Sequence, residues 1–126
     1  MKKQVSTANA PAAIGPYSQA VEVNGTLYVS GQIPIDPATG ALAGATVEEQ
    51  TCQVLKNLEA ILAQAGLTKD HVVKTTIFMQ DLSGFGVVND IYGEFFQNTI
   101  YPARACVQVA KLPKDALIEI EAIAVC

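Results

Sequence analysis

The sequence contains no tryptophan, one histidine and one arginine, and only 16% of its 126 residues are charged. Each shortage removes a class of function. Eight basic residues stand against twelve acidic ones, leaving a net charge of −4. Affinity for nucleic acid comes largely from cations set against phosphates, so this balance gives no grip on a phosphate backbone. The four tyrosines and four phenylalanines follow no RNA-binding aromatic pattern. No apolar run approaches the ~20 residues that a membrane helix needs. Lys2 and Lys3 imitate the start of a signal peptide, but Gln4, Ser6, Thr7 and Asn9 stand where its apolar stretch belongs. The expected location is therefore cytoplasmic, with neither membrane nor nucleic acid as a partner.

Cysteine and histidine are too few for several chemistries. Cys52, Cys106 and Cys126 are odd in number and lack CxxC spacing, which argues against a disulfide framework or a thiolate zinc site. His71, beside Lys69 and Asp70, reads as a solvated residue in a polar connection between a helix and a strand. With that single histidine, Ser-His-Asp and Cys-His catalysis have few candidates. GxGxxG and Walker sequences are absent, so nucleotide phosphate sites lack their usual loop.

What is present is apolar matter in quantity: half of all residues. Such a chain can bury one real core, and residues 1–126 read as a single domain without linker or repeat. Residues 7–18, rich in Ala, Pro and Gly, read as an ordered surface loop. Ser18–Val23 and Thr26–Ser30 flank Asn24-Gly25, the pair that suits a type I′ hairpin turn. Pro34, Pro37 and Gly40 mark a second loop. Thr46 with Glu49 forms a capping box, and Val47, Thr51, Val54, Leu58, Ile61 and Ala65 then make one helical stripe ending at Gly66. Val72–Met79 reads as a strand. A second helix starts at Asp81 or Ser83, carries Phe85, Val88, Tyr92 and Phe95 on one face, and ends near Asn98. Arg104–Ala110 and Leu117–Val125 read as two further strands.

The order β-β-β-α-β-α-β-β, in which one of the first three strands has no bounds legible in the pattern, predicts an α+β domain of two layers, with a mixed β-sheet and both helices on one face. The other face needs cover. Val21, Val23, Leu27, Val29 and the last two strands supply apolar residues for it, so burial between subunits is expected.

The last two strands also carry the candidate chemistry. Period-two alternation puts Glu119 and Glu121 on one face of their strand, and Arg104, Cys106 and Gln108 on one face of theirs. If the two strands are neighbours, a guanidinium and a carboxylate approach each other at a sheet end. Arginine suits a site that holds a planar carboxylate bidentately. The same residues also fit a plain solvated strand face with a structural ion pair. Cys106 reads as a small core residue or as a nucleophile, and Tyr17 as a binding-loop phenol or a loop anchor. Asn89 reads as a helix-start hydrogen bonder or a ligand contact.

Several segments resemble one known family. They are Asn9-Ala10-Pro11, Ala13-Ile14-Gly15-Pro16-Tyr17-Ser18-Gln19, Ser30-Gly31-Gln32-Ile33-Pro34, Val73-Lys74-Thr75-Thr76-Ile77-Phe78 with Asp81-Leu82, Pro102-Ala103-Arg104-Ala105-Cys106-Val107, Ala110-Lys111-Leu112-Pro113-Lys114-Asp115, and Ile118 through Val125. In this order, and over essentially the whole chain, they are similar to the RidA (YjgF) family, and the arginine places the chain near its enzyme-like subgroup.

The resemblance implies a chorismate-mutase-like fold assembled as a homotrimer, with a central barrel-like core and clefts between subunits. It implies hydrolytic deamination of 2-imino acids, such as 2-iminopropanoate and 2-iminobutanoate, to 2-keto acids and ammonia, sparing pyridoxal-phosphate enzymes from damage. It implies neither metal nor cofactor. Arg104 and Glu119 match the catalytic positions, and Tyr17, Ser30, Gly31, Asn89 and Cys106 match substrate-binding positions beside Arg104. Glu121 is left as a structural residue or one that supports the site from behind. Ala105 stands where a serine is common and is expected to point away from the cleft. A binding protein that senses 2-keto or 2-imino acids without turnover is the alternative.

Overall fold

The computed structural model describes residues 1–126. Its strands are β1 (Lys3–Val5), β2 (Ala20–Val23), β3 (Thr26–Gln32), β4 (Val72–Met79), β5 (Ala103–Gln108) and β6 (Ile118–Val125), and its helices are α1 (Val47–Gln64) and α2 (Phe85–Phe95). One sheet contains all six strands in the order β1-β2-β3-β6-β4-β5. β5 runs parallel to β4, and every other pairing is antiparallel. No helix is long and apolar enough to cross a membrane.

Local chemistry sets the element ends. Asn24 and Gly25 adopt φ of 50° and 78°, so the β2–β3 connection twists as a hairpin requires. Thr46 opens α1: its hydroxyl accepts the Glu49 N–H at 3.2 Å, and the Glu49 carboxylate reaches back to the Thr46 N–H. Gly66, at φ 76°, lets the chain leave that helix. Asp81 caps a single 3₁₀ turn before α2. α2 stops at Phe95 and not near Asn98, because its final bonds tighten and Asn98 itself is left-handed at φ 64°. The 3₁₀ turn Lys69–His71 precedes β4, and there the His71 Nδ1 accepts the Thr68 N–H at 3.0 Å.

Both helices pack on the same face of the sheet. Val54, Leu55, Leu58, Ile61 and Leu62 of α1, with Val88 and Tyr92 of α2, lie over Leu27, Val29, Ile77, Met79, Ile118, Ile120, Ala122 and Ala124. Truncating one of these leucines to alanine costs about 2–5 kcal/mol in a core of this kind. Leu27 and Val29 therefore belong to the covered core and not to the open face expected of them. The expectation grouped them with Val21 and Val23, but the hairpin register pairs Val29 with Ala20 and Tyr28 with Val21, so only Val21, Val23 and Tyr28 turn outward. The open face also carries Phe78, Ile123 and Val107, together with Lys74, Thr76, Glu119 and Glu121.

Candidate active site

The two strands that carry Arg104 and Glu119 are not neighbours: β4 lies between them. The register decides which way each side chain points. Arg104 is paired with Thr75, and Thr75 with Ala122, which puts Arg104 on the helix side of the sheet. Glu119 is paired with Phe78, one step out of phase, and lies on the open side. Within one chain the guanidinium and the carboxylate thus stand on opposite faces, and the meeting expected from adjacent strands does not occur. The reason is the parallel β4–β5 pair, a long-range pairing that no local pattern announces.

Each group organises its own surroundings. On the helix side, α2 presents Phe85, Asn89 and Tyr92 on one face, at spacings of four and three residues. The Arg104 Nη1 donates to Asn89 Oδ1 at 2.9 Å. The guanidinium carbon lies 4.9 Å from the centre of the Tyr92 ring and 5.3 Å from that of Phe85. The chain has one ion pair, between Lys111 and Asp115 at 3.5 Å, so Arg104 has no carboxylate partner within it. A pocket of about 420 Å³ opens here, lined by Asn89, Tyr92, Gly93, Tyr101, Pro102 and Arg104. Cys106 sits two residues along β5, with its Sγ 3.8 Å from the Met79 sulfur. Burial pushes its thiol up, against the opposing pull of Arg104, so it is not a ready thiolate.

On the open side, β3 carries an extra residue between Val29 and Gln32, which brings the Ser30–Gly31 backbone over Glu119. A Cβ on Gly31 would lie 2.7 Å from the Glu119 carboxyl carbon, closer than any side chain tolerates. Burial first, and the neighbouring Glu121 charge second, raise the Glu119 carboxyl above its ordinary range. Glu121 itself is exposed. The Ser30 hydroxyl donates to the Ser18 carbonyl at 2.6 Å, tying β3 to the loop that carries Tyr17. Buried Gln19 fastens the same loop: it accepts the Thr7 N–H at 2.7 Å and donates to the Pro11 carbonyl at 2.8 Å. Tyr17 and Gly31 both line an apolar groove of about 260 Å³ with Pro11, Ile14, Ile33 and Lys114.

The residues singled out in the sequence thus fall into two groups. Arg104, Asn89 and Cys106 stand together, and Tyr17, Ser30, Gly31 and Glu119 stand together elsewhere. Ala105 points to the face opposite Arg104. A larger cavity of about 530 Å³, between α1 and the loop at Asp36, contains none of them. The sequence does not mark Phe85, Tyr92, Thr75 or Gln19 as site residues. The helical spacing of Phe85, Asn89 and Tyr92 was visible, but what that face holds depends on the β4–β5 pairing.

The sequence model of the Ribonuc_L-PSP family, described as endoribonuclease L-PSP, matches residues 7–126. Among curated relatives, a protein of Salmonella typhimurium named 2-iminobutanoate/2-iminopropanoate deaminase is 54% identical, with 99% of this chain and 98% of that one covered. A mouse protein of the same name is 53% identical, covering 99% and 92%. A Synechocystis relative, 51% identical over 98% and 95%, is named only as a RutC family protein. Among solved structures, a Rid family protein of unknown function from Yersinia pestis superposes with a TM-score of 0.99 at 57% identity, covering both chains fully. The E. coli protein TdcF, solved with bound serine, gives 0.95 at 46% identity over 98% of each chain.

Proposed function

Because the chain belongs to the Ribonuc_L-PSP family, we propose that it hydrolyses 2-imino acids such as 2-iminopropanoate and 2-iminobutanoate to 2-keto acids and ammonia. The work is done in clefts shared by adjacent copies of the chain in a homotrimer. One observation carries the reading: a lone guanidinium, held in place and without a counter-charge, stands on one face of the sheet, and a carboxyl of raised proton affinity stands on the other. A second copy laid against the open face can bring its own Arg104 to Glu119. The apolar character of that face supports such a contact.

The chemistry follows from the substrate. A 2-imino acid carries a carboxylate beside an electrophilic C=N carbon. Arg104 takes the carboxylate through two parallel N–H bonds and so fixes the carbon. Water adds to that carbon while Glu119 takes one of the water's protons and hands it to the nitrogen, which gives a carbinolamine. Glu119 then takes the hydroxyl proton and gives it to the amine, so the C–N bond breaks and ammonia leaves as the C=O bond forms. A carboxyl with raised proton affinity suits this exchange of base and acid roles. Tyr17, Ser30 and Gly31 build the Glu119 wall, and Asn89 and Cys106 build the Arg104 wall. The physiological consequence is removal of reactive imines released by pyridoxal-phosphate enzymes. RNA is a poor substrate for a chain with net charge −4 and a single arginine.

The test couples an amino-acid oxidase, as a source of imine, to semicarbazide trapping of what survives. The protein should speed imine loss, and Arg104→Ala should abolish the effect while the fold persists. A sensor of 2-keto or 2-imino acids would need Arg104 but no proton transfer. Full imine hydrolysis by Glu119→Gln would overturn the mechanism, whereas retained 2-ketobutyrate binding with lost turnover supports it.

A further inference from the structure

Arg104 is exposed on an edge strand, where a long side chain ordinarily samples many rotamers and loses that freedom on binding. Here it lies in a slot on α2. The rings of Tyr92 and Phe85 attract the cation through their faces. Ring faces do not compete for in-plane N–H bonds, so beyond the one given to Asn89 those donors stay available.

Tyr92 is itself immobilised. It is 3% exposed, its hydroxyl lies 2.7 Å from Thr75 Oγ1, and its ring packs 4.7 Å from that of Phe96. Thr75 is wholly buried, and it is also the residue paired with Arg104 in the β4–β5 register. The circuit closes: Thr75 to Arg104 through the strand pair, Arg104 to Tyr92 through the cation and ring, and Tyr92 back to Thr75 through the hydroxyls. Phe85 and Asn89 close the sides of the slot.

We propose that Tyr92, pinned by Thr75, is a positioning residue that holds the Arg104 guanidinium ready for a substrate carboxylate. This rests on the carboxylate-binding role proposed above for Arg104. A purely structural hydroxyl pair would stabilise the α2–β4 contact and leave the arginine unaffected. The two possibilities therefore differ in what happens to Arg104.

The test uses the fact that Arg104 is the only arginine, so the protein has one arginine Nε–H signal in a ¹⁵N NMR spectrum. In the intact protein that signal should be ordered and shifted upfield by the two rings. Tyr92→Phe and Thr75→Val keep the packing and remove one hydroxyl each. Both should lower the Arg104 order parameter and raise KM about three- to tenfold, as loss of one buried hydrogen bond to a cation-holding ring implies. kcat should stay within about twofold, since the proton transfers are untouched. Tyr92→Leu should disorder the signal further; if it fails to fold, the two hydroxyl variants still decide. Unchanged order and unchanged KM in folded Tyr92→Phe and Thr75→Val overturn the inference. If the protein hydrolyses no imine yet the Arg104 signal loosens in these variants, the inference stands and the deaminase reading fails.

Discussion

Arg104 and Glu119 lie on opposite faces of a single sheet, on β5 and β6, with β4 between them. No side-chain motion within one chain brings them together through a packed sheet. If both act on one substrate molecule, they come from different copies.

Subunit mixing tests this directly. Arg104→Ala and Glu119→Gln should each lower turnover at least about a hundredfold. Unfolded together in equal amounts and refolded, they should regain activity. A cleft works when the arginine donor is intact, which holds for half of the subunits, and the carboxylate donor is intact, again half. About a quarter of the clefts should therefore function. An assay of the mixture that shows no recovery would place both groups in one chain.

Burial and the Glu121 charge raise the proton affinity of Glu119 in the single chain, and a guanidinium brought to it by a second copy lowers it again. Glu121 pushes that affinity up whatever else faces the carboxyl, so Glu121→Gln should move the acidic limb of kcat/KM to lower pH. Stability follows the same sign. The folded chain binds this proton more tightly than the unfolded one, so ionising Glu119 weakens the fold as pH rises from its ordinary 4.5 upward. In the dissociated chain Glu119→Gln should therefore melt higher than the parent near neutral pH, and the difference should vanish once the parent is protonated. Thermal melts across the pH range check this.

A side chain at Gly31 fits only if the Glu119 carboxyl moves aside. Alanine there would collide with the Glu119 carboxyl and displace it. A displacement of about 1 Å in a reacting group can cost about a hundredfold, so Gly31→Ala should lose turnover in that range and keep its circular dichroism. An alanine variant with parental kcat would remove Glu119 from the proton-transfer role.

Asn89 occupies the place where a carboxylate would neutralise the arginine. Asn89→Asp should form that ion pair and compete with the substrate. Calorimetric titration with 2-ketobutyrate should show binding weakened by about tenfold, since hydrogen bonds between charged groups are the stronger kind. Unfolding temperature should not fall. Unchanged affinity would mean that the ligand carboxylate does not reach Arg104.

Local chemistry made much of the fold readable. The capping box at Thr46, the Asn24-Gly25 turn and Gly66 each encode a backbone conformation in one or two residues, and the structure bears them out. β4 runs from Val72 to Met79 as its composition predicts. The failures share one cause, which is dependence on partners distant in sequence. Alternation correctly groups Arg104 with Cys106, and Glu119 with Glu121, but it does not say which face of the sheet each group occupies. That depends on β4 entering between two strands that follow each other in the chain. The short β1 and the extra residue at Ser30–Gly31 are likewise products of pairing, and neither has a local signature. The slot around Arg104 required the helix and the strand pair together.

The open sheet face also bears on how a newly synthesised chain behaves. Val21, Tyr28, Phe78 and Ile123 would form one greasy sweep, but Lys74, Glu119 and Glu121 are interspersed among them. Charges set inside an apolar strand surface shrink the contiguous apolar patch and so discourage indiscriminate face-to-face clumping. The carboxylate proposed for proton transfer thus also breaks up the apolar surface that a single chain exposes.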